Sequence, residues 1–177
     1  MKIIFLGGRQ VGIIGLLTTL ASGCEVKAVV SKSRMLCEVS ESLSIPVYDS
    51  IHKLDILLSY NYNRHLLSDV DILISVHSRE IIPTELLKLT KYGGINVHPC
   101  LYKYKGKGPI SRLLSDGETK ASVGVHRMTE VVDEGEALYE QFVSLDGQKT
   151  VVEVYNTLYP YYSLVLSKAL KIIQEVH

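Results

Sequence analysis

The amino-acid sequence predicts an α/β fold: a mostly parallel twisted sheet with helices on both faces and antiparallel strands added near the C-terminal part. Two patterns carry this expectation. Up to residue 110, short apolar runs alternate with segments of helical spacing; beyond it, two strand-like runs follow each other across an acidic loop. Strand–helix alternation implies parallel strands joined by crossovers, whereas neighbouring strand runs imply antiparallel pairing.

The first strand is Lys2–Leu6, an apolar run that ends at Gly7-Gly8, and Val11–Leu20 follows with helical spacing through Val11, Ile14, Leu17 and Leu20. Val26–Val30 reads as a second strand and Met35–Leu43 as a helix before "SIPVYD". "DILISV", Asp71–Val76, is an apolar strand bounded by charge, and Pro83–Leu89 is a short helix with the proline suited to its first turn. Gly94–His98 is the next strand. "ASVGVHRM" and "EALYEQFVSL" then pair across "TEVVDEGE", and residues 150–175 form one amphipathic helix that Pro160 should start or kink. The sequence has no internal repeat, low-complexity tract or linker, so one Rossmann-like domain over residues 1–177 is expected.

Composition narrows the function classes. A chain of 177 residues with 46% apolar content matches one ordinary domain core. The formal net charge is zero, which argues against a nucleic-acid or anionic-membrane partner. Three cysteines, Cys24, Cys37 and Cys100, lack C-x-x-C spacing and fit a reducing cytoplasm better than a disulfide framework. "MKIIFLGG" has too short an apolar run for a leader and reads as a first strand. No stretch approaches the roughly 20 apolar residues of a membrane span.

The chemistry concentrates in "GINVHPCLYKYKGKGPI". Side chains alternate along a strand, so Asn96 and His98 share one face at its carboxyl end, where open α/β sheets bind ligands. An amide and an imidazole there can donate to a carbonyl oxygen that gains negative charge, and the imidazole can also move a proton. Such a pair needs an orienting carboxylate, and Asp116, Glu118, Glu130, Asp133 and Glu134 are all candidates. Asp133 precedes Gly135 in a loop between strands, but spacing does not decide among the five. The turn "GGRQVG" lacks dinucleotide-binding spacing; the backbone at Gly8 and the Arg9 side chain are candidates for holding a phosphate. Cys100 reads as a small packing residue and His126 as structural. His52, His65, His77 and His177 have no ligand-like spacing, and no metal site is indicated.

The segments "INVHPCLYKYKGKGPISRLL" and "GETKASVGVHRMTEVVDEGEAL" resemble the core signature of the formyltetrahydrofolate-dependent formyltransferases. The resemblance rests on Asn96, His98, Pro99, Leu101, Tyr104 and Gly106, then Gly117-Glu118-Thr119, then Asp133 and Gly135, all in one register. It implies transfer of a formyl group from N10-formyltetrahydrofolate to a primary amine. Asn96, His98 and Asp133 would form the catalytic trio, with protonated His98 and Asn96 stabilising the oxyanion and Asp133 keeping His98 charged. The folate would be held by Ser78, Arg79, Glu80, Ile81 and Ile82 together with Val131 and Val132, whose apolar members suit a flat ring. Tyr104, Lys105 and Gly106 would join Gly8 and Arg9 at the acceptor.

The sequence departs from the family pattern beside that acceptor. "HPCLYKYKG" is shorter by one residue, has Cys100 where serine is usual and lacks a second proline, and "HSRE" is unusually charged. Transfer RNA fits poorly as acceptor, because there is no basic excess and no additional C-terminal RNA-binding segment is present in the sequence. "GGRQVG" differs from the small-residue phosphate turn expected for glycinamide ribonucleotide. An amino sugar on a nucleotide carrier is the favoured acceptor, with Lys103, Lys105, Lys107 and Arg9 available to a diphosphate. Glycinamide ribonucleotide or another small amine, hydrolysis of the formyl donor, and a non-catalytic folate-binding module remain as alternatives. "YNTLYPYY" is a candidate homodimer surface.

Overall fold

A computed structural model describes residues 1–53 and 69–175, so His65 and His177 lie outside the described residues. The chain divides into two compact units, Met1–Ile95 and Asn96–His177.

The first unit contains β1 (Lys2–Gly7), α1 (Arg9–Ala21), β2 (Glu25–Val30), α2 (Arg34–Ser42), β3 (Val47–Tyr48), β4 (Ile72–Val76) and α3 (Thr84–Leu89), and ends as β5 (Gly94–Pro99) begins. Its strands lie in the order β3-β2-β1-β4 and all pair in parallel. Ile3–Leu6 and Ile72–Val76 are buried, as a parallel sheet covered on both faces requires. β1 and β4 finish level, with Gly7 opposite Val76. The Ser31 hydroxyl donates to the Gly7 carbonyl at 2.9 Å and ties the end of β2 to the same edge.

Helix α1 packs on a different stripe from the one its large residues suggest. Leu17 is 48% exposed, whereas Val11, Gly12, Gly15, Leu16 and Thr19 are buried. The reason is close approach: a Cβ on Gly15 would lie 2.7 Å from the Val76 side chain and 3.0 Å from Phe5. The glycine face therefore sits against the strands, and hydropathy does not register a residue without a side chain. Pro83 is the N-cap of α3 and not a residue of its first turn. Its carbonyl accepts from Leu86 and Leu87 N–H groups, and its missing N–H costs nothing there.

The second unit continues β5 and adds α4 (Pro109–Ser115), β6 (Lys120–Arg127), β7 (Ala137–Ser144) and α5 (Val151–Glu175). β6 and β7 pair antiparallel, with an irregularity between Val125 and His126. Helix α5 opens on a reciprocal cap: Glu153 accepts from the backbone N–H groups of Lys149 and Thr150, and the Thr150 hydroxyl accepts from Glu153 N–H. Val154, Leu158, Tyr162, Val165, Leu166, Ala169, Leu170 and Ile173 form its buried stripe at helical spacing. No described helix is long and apolar enough to cross a membrane.

Pro160, expected to start or kink α5, lies inside a helix that is continuous from Val151 to Glu175. Pro160 and Asn156 are both exposed, so the carbonyl that loses its partner faces water. Pro160→Ala should therefore restore a backbone bond and raise the unfolding free energy by about 1–3 kcal/mol, measured by denaturant titration.

Candidate active site

Backbone strain marks the carboxyl ends of the strands. Arg9, His77 and Cys100, the residues just past β1, β4 and β5, have φ near 56°, and Asp133 in the β6–β7 loop has φ 57°. Left-handed conformations in non-glycine residues cost energy and persist where surrounding structure over-determines them.

In the second unit the strain accompanies convergence on one carboxylate. The period of two along β5 buries Val97 and sends Asn96 and His98 to the other face. The β6–β7 loop meets them because Gly135 permits it. A Cβ there would fall 1.8 Å from the Arg127 carbonyl oxygen, so any side chain would push the loop off β6. The pairing of Arg127 N–H with the Glu136 carbonyl at 2.9 Å fixes the loop's return.

Asp133 then divides its two oxygens. Oδ2 lies 3.2 Å from His98 Nε2 and accepts from the Gly106 N–H at 2.8 Å. Oδ1 accepts from Asn96 Nδ2 at 3.2 Å and lies 3.2 Å from His126 Nε2. His126 Nε2 is also 3.3 Å from Asn96 Nδ2. The structure thus brings together Asn96, His98, Asp133 and Gly106, and adds His126. That histidine, expected to be structural, ends β6 as His98 ends β5. Its place at a strand end beside the acidic loop was the one available signal.

Charge follows from burial and partners. Burial alone would raise the Asp133 carboxyl, but the hydrogen bond with His126, the His98 ring and the Gly106 amide hold it at about 2. Burial pushes the His98 imidazole below the ordinary histidine range, and the Asp133 charge recovers only part of this. Desolvation thus opposes the charge that Asp133 was expected to keep on His98. Both neighbours of Nε2, the Asp133 carboxylate and the Gly106 carbonyl at 3.2 Å, are acceptors, which places the ring hydrogen on Nε2. Nδ1 is then a buried lone pair without a partner.

The other candidate acids are engaged elsewhere or exposed. Asp116 accepts from the Tyr104 hydroxyl at 2.7 Å, Glu118 pairs with Lys103 at 2.7 Å and Glu134 with Lys105 at 2.6 Å, while Glu130 is exposed. Tyr104, expected at the acceptor, is 3% exposed and props its loop against Asp116, with Lys103 and Arg112 over its ring. Lys105 reaches Glu134, and the Gly106 N–H is taken up by the Asp133 carboxylate. Cys100 is fully buried with its thiol pushed up to about 11 by desolvation, which suits packing and not nucleophilic attack.

Two expected groups belong to the first unit. The Gly8 N–H donates to the Val76 carbonyl at 3.2 Å and is not free for a phosphate; Arg9 is exposed. The Ser78 hydroxyl accepts from Glu80 N–H, and the Glu80 carboxylate is taken up by Lys32, Ser50 and Ile51. This anchors a loop whose Arg79 is exposed, Ile82 half-buried and Ile81 76% exposed. In the second unit Val131 and Val132 are 61% and 59% exposed. Among the described residues no His/Cys/Asp/Glu cluster suits a metal ion.

A family model described as formyl transferase matches residues 1–170. The methionyl-tRNA formyltransferase of Orientia tsutsugamushi is 33% identical over 153 residues, which cover 78% of this chain and 48% of that protein. The GDP-perosamine N-formyltransferase of Brucella melitensis is 34% identical over 89 residues, covering 50% of this chain and 34% of its own. The chain spans half or less of the length of these curated relatives. The crystal structure of phosphoribosylglycinamide formyltransferase from Anaplasma phagocytophilum matches with a TM-score of 0.82 at 19% identity, over 99% of this chain and 87% of that one. That likeness shows a shared α/β fold.

Two outcomes follow for the isolated protein. Asp133 and His98 both have lowered values in the folded state. The stability from His98 is present above the ordinary histidine value and is lost as pH falls through its depressed folded value. The contribution of Asp133 holds down to the ordinary carboxylate range and is lost as pH falls toward about 2. Urea unfolding against pH should show both losses, and Asp133→Asn should remove the lower one. Gly135→Ala should cost roughly 1–3 kcal/mol or more in the same assay, because backbone must move.

Proposed function

Because the chain belongs to the formyl transferase family, we propose that it moves a formyl group from N10-formyltetrahydrofolate to a primary amine, most specifically that of an amino sugar on a nucleotide carrier. The observation that carries this reading is the buried Asp133 carboxylate shared by His98, Asn96 and His126 at the strand ends.

When bound, the folate supplies an electrophilic formyl carbon. The exposed apolar side chains of Val131 and Val132, immediately before Asp133, suit a flat ring, and Ile81 offers the same chemistry on the Ser78–Ile82 loop. His98 and Asp133, 3.2 Å apart, can take up the proton of the attacking nitrogen between them as the new carbon–nitrogen bond forms. The Asp133 carboxylate stabilises the resulting imidazolium. Asn96 and the imidazolium donate to the formyl oxygen as it gains charge, and the proton leaves on the departing nitrogen. The pair thus begins as a base and becomes the acid.

The acceptor class is supported by the GDP-perosamine relative and by the loop charges. Lys103 and Lys105 have acidic partners, whereas Lys107, exposed and next to Gly106, has none among the described contacts. It is the loop cation available to a diphosphate.

Incubation with N10-formyltetrahydrofolate and a panel of amines tests the reading. Tetrahydrofolate release should depend on the amine and be fastest with nucleotide-linked amino sugars. Preference for methionyl-tRNA or glycinamide ribonucleotide would move the acceptor, amine-independent release would make it a hydrolase, and folate binding without turnover a binding module. His98→Ala should lower kcat on the order of 100-fold or more, and an unchanged rate would overturn the mechanism.

A further inference from the structure

We infer that His126 is a positioning residue for formyl transfer, holding the Asp133 carboxylate and the Asn96 amide in the orientation that the reaction uses. The inference rests on the function proposed above and adds a residue to it.

His126 is 2% exposed and sits where the β6–β7 register shifts, between Val125 and His126. Such irregularities re-aim a side chain at the end of a strand. Its Nδ1 lies 2.8 Å from the carbonyl oxygen of Arg127, an acceptor only, so Nδ1 carries a hydrogen in the neutral and the charged ring alike. That bond fixes the ring and aims Nε2 at two targets, Asp133 Oδ1 at 3.2 Å and Asn96 Nδ2 at 3.3 Å. A charged ring donates to the carboxylate and leaves the second amide hydrogen of Asn96 for the formyl oxygen, whereas a neutral ring accepts that hydrogen. In both states one member of the trio is held.

The consequence for Asp133 is directional. With Oδ1 met by His126 and Asn96, the carboxylate plane is set so that Oδ2 faces His98 and the Gly106 N–H. The consequence for Asn96 is that its nitrogen must point toward Asp133 and His126, because a flipped amide would set oxygen against oxygen. Arg127 links ring and loop, since its carbonyl both accepts from His126 and is the atom that Gly135 passes. Removing the imidazole frees the carboxylate and the amide to rotate, and small misplacements of reacting groups are costly.

The test compares His126→Phe, which fills the space without polar atoms, and His126→Gln, which restores one polar partner. In wild type, long-range 15N–1H spectra should show Nδ1 protonated. In steady-state formyl transfer, His126→Phe should lose kcat by about 10–100-fold with KM for the folate unchanged, and His126→Gln should recover part of it. If His126→Phe unfolds, His126→Gln with an intermediate kcat and unchanged KM carries the same support. A wild-type kcat in His126→Phe or His126→Gln, or an unprotonated Nδ1, overturns the inference while formyl transfer stands. A wild-type protein inert toward every amine overturns formyl transfer, and the inference with it.

Discussion

A carboxylate removed from water has to be met by donors, and Asp133 imposes that condition on everything around it. Left unpaired, such a group costs several kcal/mol. Here its oxygens contact two histidines, one amide and one peptide N–H. These four partners come from three pieces of chain: β5 supplies Asn96 and His98, the end of β6 supplies His126, and the loop before α4 supplies Gly106. The carboxylate is therefore the point at which three segments agree on position. It is kept ionised by the same contacts that hold them.

The histidines on its two sides are not equivalent. His126 is anchored by its own strand through the Arg127 carbonyl and leaves no ring nitrogen unengaged. His98 keeps a buried Nδ1 with no partner. In the proposed reaction this difference assigns the holding role to His126 and the proton-moving role to His98. The Gly106 peptide, donating to Asp133 and lying against His98, brings the lysine-bearing loop into the same arrangement. Tyr104 and Asp116 brace that loop from behind.

The strand–helix alternation was readable because buried parallel strands are written as apolar runs, and Ile3–Leu6 and Ile72–Val76 are such runs. The face of α1 was not, because Gly12 and Gly15 contribute closeness and no hydropathy. Asn96 and His98 were legible from the period of two. Asp133 was one of five acids until the family signature selected it, since loops have no period from which to read direction. Its dependence on Gly135 rests on the 1.8 Å approach to the Arg127 carbonyl oxygen, a tertiary contact that no sequence pattern displays. His126 reads as structural because one histidine in a strand of buried residues makes no pattern. The register shift that aims it depends on pairing with β7.

The account turns on Asp133 acting electrostatically on a desolvated His98, and NMR titration of the His98 ring in wild type and Asp133→Asn addresses this directly. Wild-type His98 should titrate below the ordinary histidine range, because burial outweighs the carboxylate. Removing the charge should lower it further, since only the opposing pull is lost. A His98 value that stays put or rises in Asp133→Asn would contradict the account.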